Sequence, residues 1–354
     1  METTDRHTAP EHRLKSWVRW LAGALLIVAS TGAAQADGVA ERVPAEVRIG
    51  YVDLVNAQVI ARALGLHQKD MKVPVKYIKF DSGGDLNRAV AAGQIDFGGV
   101  GNPPATIGIT RELDYQGIVD LDFLGGVEAL VGRKSEGIKT VKDLVGKTVA
   151  VPFGSTSHYS LIAALTNAGV APTAVKMLDM GPSDAMAAWT RGDIDAAYIW
   201  EPILDRMVAS GGEQITNSAE VARQGHPTWD IAVVMSSFAK QYPSLVTRFV
   251  QAECEAIDYW HSNPDDSAQL ISKALSQPLD EVKRMMKGTD EIPCSQQVTH
   301  DYLGTPRSKG AFAADLVSTA QFLQSQKRLP AVLPAATYEA FINPAYLESY
   351  LKQH

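Results

Sequence analysis

The chain has 354 residues, of which 45% are hydrophobic and 21% charged, and its formal net charge is −7. A chain of this length usually folds as one large or two medium domains. The excess of acidic residues disfavours nucleic acid and anionic membrane surfaces as partners, and we predict no nucleic-acid partner.

The N-terminus has the pattern of a cleavable export signal. Basic residues precede an apolar run from Trp20 to Ser30, and Ala34-Gln35-Ala36 supplies a small-residue cleavage site. The run is about a dozen residues long, whereas a membrane-spanning helix needs about 20, so an uncleaved anchor is the less favoured alternative. We predict that residues 1–36 are a signal peptide and that the mature chain is periplasmic. Their removal takes away four of the 33 basic and three of the 40 acidic residues, which changes the charge from −7 to −8.

The mature chain contains one plan of elements twice. The order strand, helix, strand, helix, strand is predicted over 47–101 and again over 147–202, and both copies contain Gly-x-Ile-Asp, at 93–96 and 192–195. Strands that alternate with helices favour parallel sheets built from βαβ units. The predicted fold class is therefore α/β, with two similar lobes, each a mostly parallel sheet flanked by helices. Small ligands tend to bind in the cleft between such lobes.

Two apolar strands are predicted to cross between the lobes and to act as the hinge, one at 126–132 and the other at 230–235. Two crossings make the first lobe discontinuous. The predicted domains after the signal peptide are 46–126 (first part of lobe 1), 127–233 (lobe 2), 234–330 (second part of lobe 1) and 331–354 (C-terminal tail).

Helix boundaries follow from capping residues and apolar spacing. The helix that ends at Arg191 is expected to stop at Gly192 and to be capped by Ser183 or Asp184. In the second half of the chain, helices are predicted at 245–262, 278–287, 312–326 and near 345–352.

The chain has two cysteines, Cys254 and Cys294. In an oxidising compartment they could form one disulfide across a loop of about 40 residues. The alternative, two buried free thiols, stays open because sequence does not give the separation of the Cα atoms. The histidines and cysteines lack metal-ligand spacing, and we predict no metal and no cofactor.

Several motifs resemble the substrate-binding proteins of taurine ABC importers, within the wider taurine/sulfonate/nitrate binding-protein family. They run through nearly the whole mature chain in the family's order. They are Lys79-Phe80-Asp81-Ser82-Gly83, Glu128-Ala129-Leu130-Val131, Val149-Ala150-Val151-Pro152-Phe153, Ser155-Thr156-x-His158-Tyr159, Arg191-Gly192-Asp193-Ile194-Asp195, Ala197-Tyr198-x-Trp200, Pro227-Thr228-x-Asp230 and Thr319-Ala320-Gln321-Phe322-Leu323.

The resemblance implies a type II periplasmic binding protein that closes on its ligand about two crossover strands. It implies that the chain is the solute-binding component of an ABC importer, which binds taurine or a closely related small sulfonate and delivers it to an inner-membrane permease. We expect a monomer without catalytic activity.

Two departures from the family pattern keep other ligands open. Gly101 is followed by Asn102 and Pro103 where taurine-binding relatives tend to have two serines, and Glu201 stands where close relatives carry a small residue. The alternative hypothesis is therefore the same fold with an aminophosphonate, a carboxylated amine or a nitrogen heterocycle as ligand. A less favoured alternative is an exported enzyme on this scaffold.

Taurine carries a sulfonate at one end and an ammonium at the other. For the sulfonate, the segment after the strand at 148–152 opens a helix, where free N–H groups and the helix dipole favour an anion. Three hydroxyls add donors, although helix capping alone would explain one of them. The candidate ligand residues are Ser155, Thr156, Ser157, His158 and Tyr159.

The first lobe makes the same strand-to-helix turn at Asp81-Ser82-Gly83. Ser82 is expected to donate across the cleft, and Asp81 is expected to cap the helix. Asn102 ends the third strand of that lobe and is a candidate donor, with a plain turn before the prolines as the alternative.

For the ammonium, the candidate carboxylates are Glu128, Glu201 and Asp230, and Trp200 and Tyr159 are candidate aromatic walls. A structural salt bridge is the alternative role for each carboxylate.

Enzyme motifs are weak in this chain. Ser155 and His158 lie three positions apart, but no G-x-S-x-G motif surrounds them. Asp96 and Asp195 occupy equivalent places in the two copies, so we interpret them as turn or strand-start residues rather than as a catalytic pair.

Overall fold

The computed structural model describes residues 43–354, and the predicted signal peptide at 1–36 lies outside them. The strands of the described residues are β1 Val47–Tyr51, β2 Val75–Lys79, β3 Phe97–Gly101, β4 Tyr115–Leu124, β5 Glu128–Arg133, β6 Thr148–Val151, β7 Lys176–Asp179, β8 Ala196–Trp200, β9 Gly212–Asn217, β10 Trp229–Met235, β11 Thr289–Asp290, β12 Gly304–Thr305 and β13 Ser308–Lys309.

The helices are α1 Ala57–Ala63, α2 Leu66–Met71, α3 Gly83–Ala91, α4 Asn102–Thr110, α5 Thr156–Asn167, α6 Pro182–Arg191, α7 Ile203–Ala209, α8 Ser218–Arg223, α9 Ser236–Gln241, α10 Pro243–Ser262, α11 Pro264–Leu275, α12 Leu279–Met286, α13 Cys294–Gln297, α14 Ala311–Ser325, α15 Ala335–Phe341 and α16 Ala345–Leu351. Within residues 43–354, no helix has both the length and the apolar composition that crossing a bilayer requires.

Eleven of the described strands form two mixed sheets, and β12 and β13 pair separately as a small antiparallel sheet. The first has the order β11-β4-β10-β3-β1-β2 and the second has the order β7-β6-β8-β5-β9. We call each sheet with its helices the first and the second lobe. The predicted fold class, two α/β lobes flanked by helices, is confirmed, but the sheets are mixed rather than mostly parallel. Strands β4, β10 and β11 of the first sheet and β5 and β9 of the second pair antiparallel.

The predicted duplication is visible in the strand pairing. Strands β2, β1 and β3 are parallel neighbours in the first sheet, as β7, β6 and β8 are in the second, and each trio is followed by an antiparallel strand. The two repeated aspartates also match. The Asp96 carboxylate accepts a hydrogen bond of 2.8 Å from the Arg48 N–H, and the Asp195 carboxylate accepts one of 2.7 Å from the Thr148 N–H. Both acids therefore fix the start of a strand, as predicted.

The core of the second lobe lies on both faces of its sheet. Along β5, Ala129 and Val131 pack with α6 and α7, whereas Leu130 packs with α5 on the opposite face. This follows from the two-residue period of a strand. Trp189 on α6 is 1% exposed and belongs to this core.

The chain crosses between the two sheets at two places, the first overlapping the start of the predicted crossing at 126–132 and the second lying before the predicted crossing at 230–235. The chain passes from β4 in the first sheet to β5 in the second through residues 125–127. It returns between β9 and β10, because all of β10 pairs with β3 and β4 in the first sheet. The second lobe therefore ends before Trp229, not at the predicted residue 233.

Two predicted caps differ from the structure. Helix α6 ends at Gly192, which has φ +83° as its C-terminal role requires, but it begins at Pro182 after Gly181 rather than at a Ser183 or Asp184 cap. Helix α3 is capped by Ser82, whose Oγ accepts a hydrogen bond from the Asp85 N–H, and not by Asp81.

The C-terminal segment 331–354 packs on the first lobe. It contains α15, which lies in the proline- and alanine-rich stretch where no helix was predicted. The Asn343 N–H then donates a hydrogen bond of 2.7 Å to the Gly117 carbonyl of β4.

The two cysteines form a disulfide, with Cα atoms 5.7 Å apart and 40 positions between them in sequence. It joins α10 to α13. Residue Gln297 of α13 accepts a hydrogen bond of 2.9 Å from the Asp120 N–H of β4, so the disulfide anchors a helix that braces the first sheet.

Replacing both Cys254 and Cys294 by alanine is expected to lower the free energy of unfolding by about 4 kcal/mol, because a closed loop of this length restricts the unfolded chain. Urea denaturation measures the change, and the wild-type protein with reductant should give the same curve. An unaltered midpoint for both samples would contradict this role.

Candidate functional site

A cavity of ≈ 40 Å³ lies between the two lobes. This is roughly three times the 10–15 Å³ that one water molecule needs, so the cavity suits a small solute. It lies beyond the carboxyl ends of the parallel strands β1, β3 and β6, where α/β folds usually bind ligands. The residues that line it are Val52, Leu54, Asn56, Gln58, Gly83, Gly99, Gly101, Pro104, Leu121, Leu124, Glu128, Ser155, Thr156, Trp200 and Asp230.

Helix N-termini from both lobes face this cavity. Gly83 is the first residue of α3 in the first lobe, and Thr156 is the first residue of α5 in the second. Gly101 precedes α4, which begins at Asn102. The second and third residues of α4, Pro103 and Pro104, have no N–H.

The Asp85 and His158 N–H groups are taken by the capping hydroxyls. The N–H groups of the first two residues of α3 and α5 therefore form the main cluster of main-chain donors at the cavity, and the three helix dipoles reinforce one another there.

The hydroxyls at the start of α5 are engaged within the protein. Ser155 Oγ donates to the Pro152 carbonyl at 2.6 Å and accepts from the His158 N–H at 3.2 Å, so it is the helix cap. Thr156 and Ser157 donate to one oxygen of the Glu128 carboxylate at 2.5 and 2.7 Å. The three hydroxyls expected to add donors for an anion therefore donate within the protein in this structure, and the main-chain N–H groups are the donors left for an anion.

Glu128 organises this helix start. Its side chain is fully buried, and its second oxygen accepts from Ser218 at 2.6 Å and from Ser160 at 3.5 Å. Burial raises the pKa of Glu128, while the hydroxyl hydrogen bonds oppose that rise. The carboxylate thus ties α5 and α8 to β5 and presents its charge at the cavity wall.

Asp230 is the carboxylate with unused hydrogen-bonding capacity at the cavity. It is 7% exposed and pairs with Gly101 across β10 and β3. Among residues 43–354 no side chain hydrogen-bonds to its carboxylate. Burial raises the pKa of Asp230 well above its usual value, and the nearby carboxylates of Asp122, Glu128 and Asp120 raise it further. A cationic group in the cavity would relieve both effects.

Of the eleven candidate residues, Glu128, Ser155, Thr156, Trp200 and Asp230 line the cavity. The structure does not bring the other six to it. Ser82 caps α3 and also donates to the Asp85 carboxylate at 2.8 Å. Ser157 is turned to Glu128.

Asn102 is fully buried and holds the chain where it returns to the first lobe. Its Nδ2 donates to the Pro227 carbonyl at 3.0 Å, and its Oδ1 accepts from the Trp229 N–H at 3.1 Å. Its amide therefore fixes the entry into β10, and with it the position of Asp230.

His158 and Tyr159 lie where α5 meets the first lobe. The His158 ring stacks on Phe153 with centroids 4.5 Å apart, and its Nδ1 accepts from the Gly154 N–H at 3.1 Å. Burial, followed by the charge of Arg328, lowers the pKa of His158 to about 4. Tyr159 packs edge to face on Phe322 of α14, and its hydroxyl lies 3.1 Å from His226 Nδ1. Tyr159 therefore contacts the first lobe, whereas His158 packs within the second lobe.

Sequence reasoning missed Asn56, Gln58 and Asp122. Asn56 and Gln58 line the cavity, and Asn56 Nδ2 donates to the Asp122 carboxylate at 2.7 Å. A signal was available in β4, because Asp120 and Asp122 are two positions apart in an apolar strand and therefore face the same side.

The lobes are in contact around the cavity, so the structure represents a closed form. Arg284 of α12 and Asp205 of α7 form an ion pair of 2.6 Å between the lobes. The Thr156 methyl group also packs directly over Gly101, leaving no room for a Cβ there. A ligand in this cavity would touch both lobes.

Comparisons with known proteins agree with this architecture. The NMT1-like family profile matches residues 40–276. The chain is 32% identical over 308 residues to the taurine-binding periplasmic protein of Escherichia coli (strain K12), covering 85% of this chain and 92% of that one.

Solved structures show the same fold. The alkanesulfonate-binding protein SsuA from Xanthomonas axonopodis pv. citri, bound to MOPS, has a TM-score of 0.71 and 22% identity over 84% of this chain and 98% of its own. The periplasmic aliphatic sulphonate-binding protein SsuA from Escherichia coli has a TM-score of 0.67 and 22% identity, over 86% of this chain and all of its own. The chain therefore belongs to the NMT1-like family and shares the two-lobed fold of these periplasmic binding proteins.

Proposed function

We propose that this protein is the solute-binding component of an ABC importer and that it captures taurine, or a closely related small sulfonate, in the cavity between its lobes. The observation that carries the proposal is the pairing, at one small cavity, of helix N-termini from both lobes with the unpartnered carboxylate of Asp230. This arrangement suits a short zwitterion.

The sulfonate is assigned to the starts of α3 and α5. A helix start offers N–H groups without intrahelical partners and the positive end of the dipole. Anions bind at such sites without a lysine. The two helices belong to different lobes. A sulfonate that accepts hydrogen bonds from the N–H groups of both helices would therefore hold the lobes together.

The ammonium is assigned to Asp230, with the indole of Trp200 as an apolar wall. A hydrogen bond between charged groups contributes about 1.5–3 kcal/mol, and an ammonium over a desolvated indole about 2 kcal/mol. Glu128 adds negative charge nearby, although its own oxygens are occupied by hydroxyls. The same carboxylates disfavour a dianionic phosphonate, so a sulfonate is the better fit.

Transport follows from closure about the two crossings, at 125–127 and between β9 and β10. An open form admits the solute, and the bound solute shifts the equilibrium towards the closed form because it has partners on both lobes. The closed surface would then be recognised by a permease in the inner membrane. We assign the protein to the periplasm, as a binding protein that releases its ligand unchanged.

Calorimetric titration of the purified protein with taurine is expected to give saturable binding, and ethanesulfonate is expected to bind at least tenfold more weakly. Aminoethylphosphonate, a carboxylated amine and a nitrogen heterocycle form the comparison panel. If taurine and every alkanesulfonate give no heat of binding while another panel member binds, the ligand class is not a sulfonate but that of the member that binds.

A further inference from the structure

A second, smaller cavity adjoins the ligand cavity beneath Trp200. We call it the annex, and its volume is ≈ 10 Å³. This matches the space of about 10–15 Å³ that one water molecule needs, and an ammonium group is of similar size. The annex is lined by Leu54, Val55, Asp122, Leu124, Val127, Trp200, Glu201 and Thr289.

Three apolar side chains line both cavities: Leu54, Leu124 and Trp200. A methylene chain that leaves the main cavity on this side would therefore pass between apolar surfaces before it reached the annex. The annex itself ends in two acidic side chains, one from each lobe.

The first acid, Asp122 of β4, is 1% exposed. Its Oδ2 accepts from Asn56, but its Oδ1 is buried without a hydrogen-bond partner among the described residues. An unsatisfied buried carboxylate oxygen is costly, and a donor in the annex would remove that cost.

The second acid, Glu201, follows β8 in the second lobe. One of its oxygens accepts a hydrogen bond of 2.9 Å from the Asp205 N–H at the start of α7. The nearby charged groups are Asp205, Glu281 and Arg284. Burial raises the pKa of Glu201 to about 7 and that of Asp122 to about 6, so both carboxyls would gain from a nearby cation.

We propose that the annex receives the ammonium group of aminosulfonates one or two methylenes longer than taurine, with Glu201 and Asp122 as its carboxylate partners. This inference rests on the proposed function and specifies its ligand class. A metal ion is not the occupant we assign, because within residues 43–354 no three His, Cys, Asp or Glu side chains are placed to hold one.

The test uses calorimetry with taurine, 3-aminopropane-1-sulfonate and 4-aminobutane-1-sulfonate, together with propane-1-sulfonate and butane-1-sulfonate as amine-free partners. Glu201→Gln is the main variant, because glutamine can still accept from the Asp205 N–H while it lacks the charge. Glu213→Gln is the control, since Glu213 is exposed on β9 and lines neither cavity.

In the wild type, at least one longer amine is expected to bind tenfold or more tightly than its amine-free partner. Glu201→Gln should reduce the affinity ratio of the longer amine to its amine-free partner at least fivefold. It should reduce the affinity ratio of taurine to ethanesulfonate less, and Glu213→Gln should alter neither ratio. Asp122→Asn, checked for an intact melting transition, should act in the same direction as Glu201→Gln.

Equal losses for the longer amine and its amine-free partner in Glu201→Gln would overturn the annex assignment while leaving the proposed function in place, provided that taurine still binds. If no sulfonate binds the wild-type protein, both are refuted.

Discussion

Replacing Gly101 by alanine is expected to raise the dissociation constant for taurine roughly 100-fold, because the added methyl group prevents closure. A Cβ on Gly101 would overlap the Cγ2 atom of Thr156 in the opposite lobe and would lie 3.0 Å from Asp230 Oδ1. Overpacking typically costs about 1–3 kcal/mol. The overlap with a buried side-chain methyl group is severe, which places this case at the upper end and corresponds to about two orders of magnitude in affinity.

A second substitution, at Thr156, is expected to restore binding in the Gly101→Ala variant. Thr156→Ser removes the obstructing methyl group and keeps the hydroxyl that donates to Glu128, so the double variant Gly101→Ala/Thr156→Ser should regain a large part of the affinity. Gly181→Ala is the matched control, because its Cβ would meet the nearest atom, Asp81 Cβ, at an ordinary 3.4 Å. Calorimetry and small-angle scattering with and without taurine measure affinity and closure.

If Gly101→Ala acts by preventing closure, the stability of the ligand-free protein should be nearly unaffected. The melting temperature of ligand-free Gly101→Ala should fall only slightly. The overlap with Thr156 arises where the lobes meet, and the contact with Asp230 Oδ1 inside the first lobe is short by only a few tenths of an ångström. A large loss of stability, or a double variant as weak as Gly101→Ala, would contradict the account.

Asp230→Asn is expected to weaken taurine binding about 10- to 150-fold, the range of a lost charge-assisted hydrogen bond of about 1.5–3 kcal/mol. Ethanesulfonate lacks the ammonium and should lose less than threefold. Parallel titrations of both ligands measure the difference. Equal losses for the two ligands would show that Asp230 does not bind the ammonium.

The stability of the ligand-free Asp230→Asn protein distinguishes this effect from misfolding. Burial and the neighbouring acids raise the pKa of Asp230 in the folded state. The folded protein then holds more protons than the unfolded chain above about pH 4, so this group makes stability fall as pH rises. The variant should therefore melt at a higher temperature than the wild type at pH 8, and the gap should narrow towards pH 5. Asp301→Asn, an exposed position, controls for net charge.

Much of the fold could be predicted because the signals are local. The duplication follows from apolar strands and turn glycines that recur in one order, and the end of α6 at Gly192 follows from the φ of +83° that glycine adopts there. The strand predicted to cross at 230–235 lies wholly in the first sheet, because the local sequence of an apolar strand does not show which sheet it joins. Its pairing with β3 and β4 depends on residues more than 100 positions away.

The site could be predicted only in part, for a similar reason. The start of α5 was located correctly, but the partner of its hydroxyls is Glu128, 28 and 29 positions earlier in the chain. No local pattern shows that a carboxylate will occupy those donors. Asn102 and Tyr159 were chosen for their chemistry, yet their side chains hold the chain and the lobes together, which emerges only when β10 and α14 are in place.

The central claim is that a single zwitterion joins the two lobes, with its anionic end on main-chain N–H groups and its cationic end on Asp230. A crystal structure of the protein with taurine tests it most directly. We predict the sulfonate oxygens within hydrogen-bonding distance of the first-turn N–H groups of α3 and α5, and the nitrogen at the Asp230 carboxylate. Taurine bound in the reverse orientation, or outside the cavity between the lobes, would contradict the account.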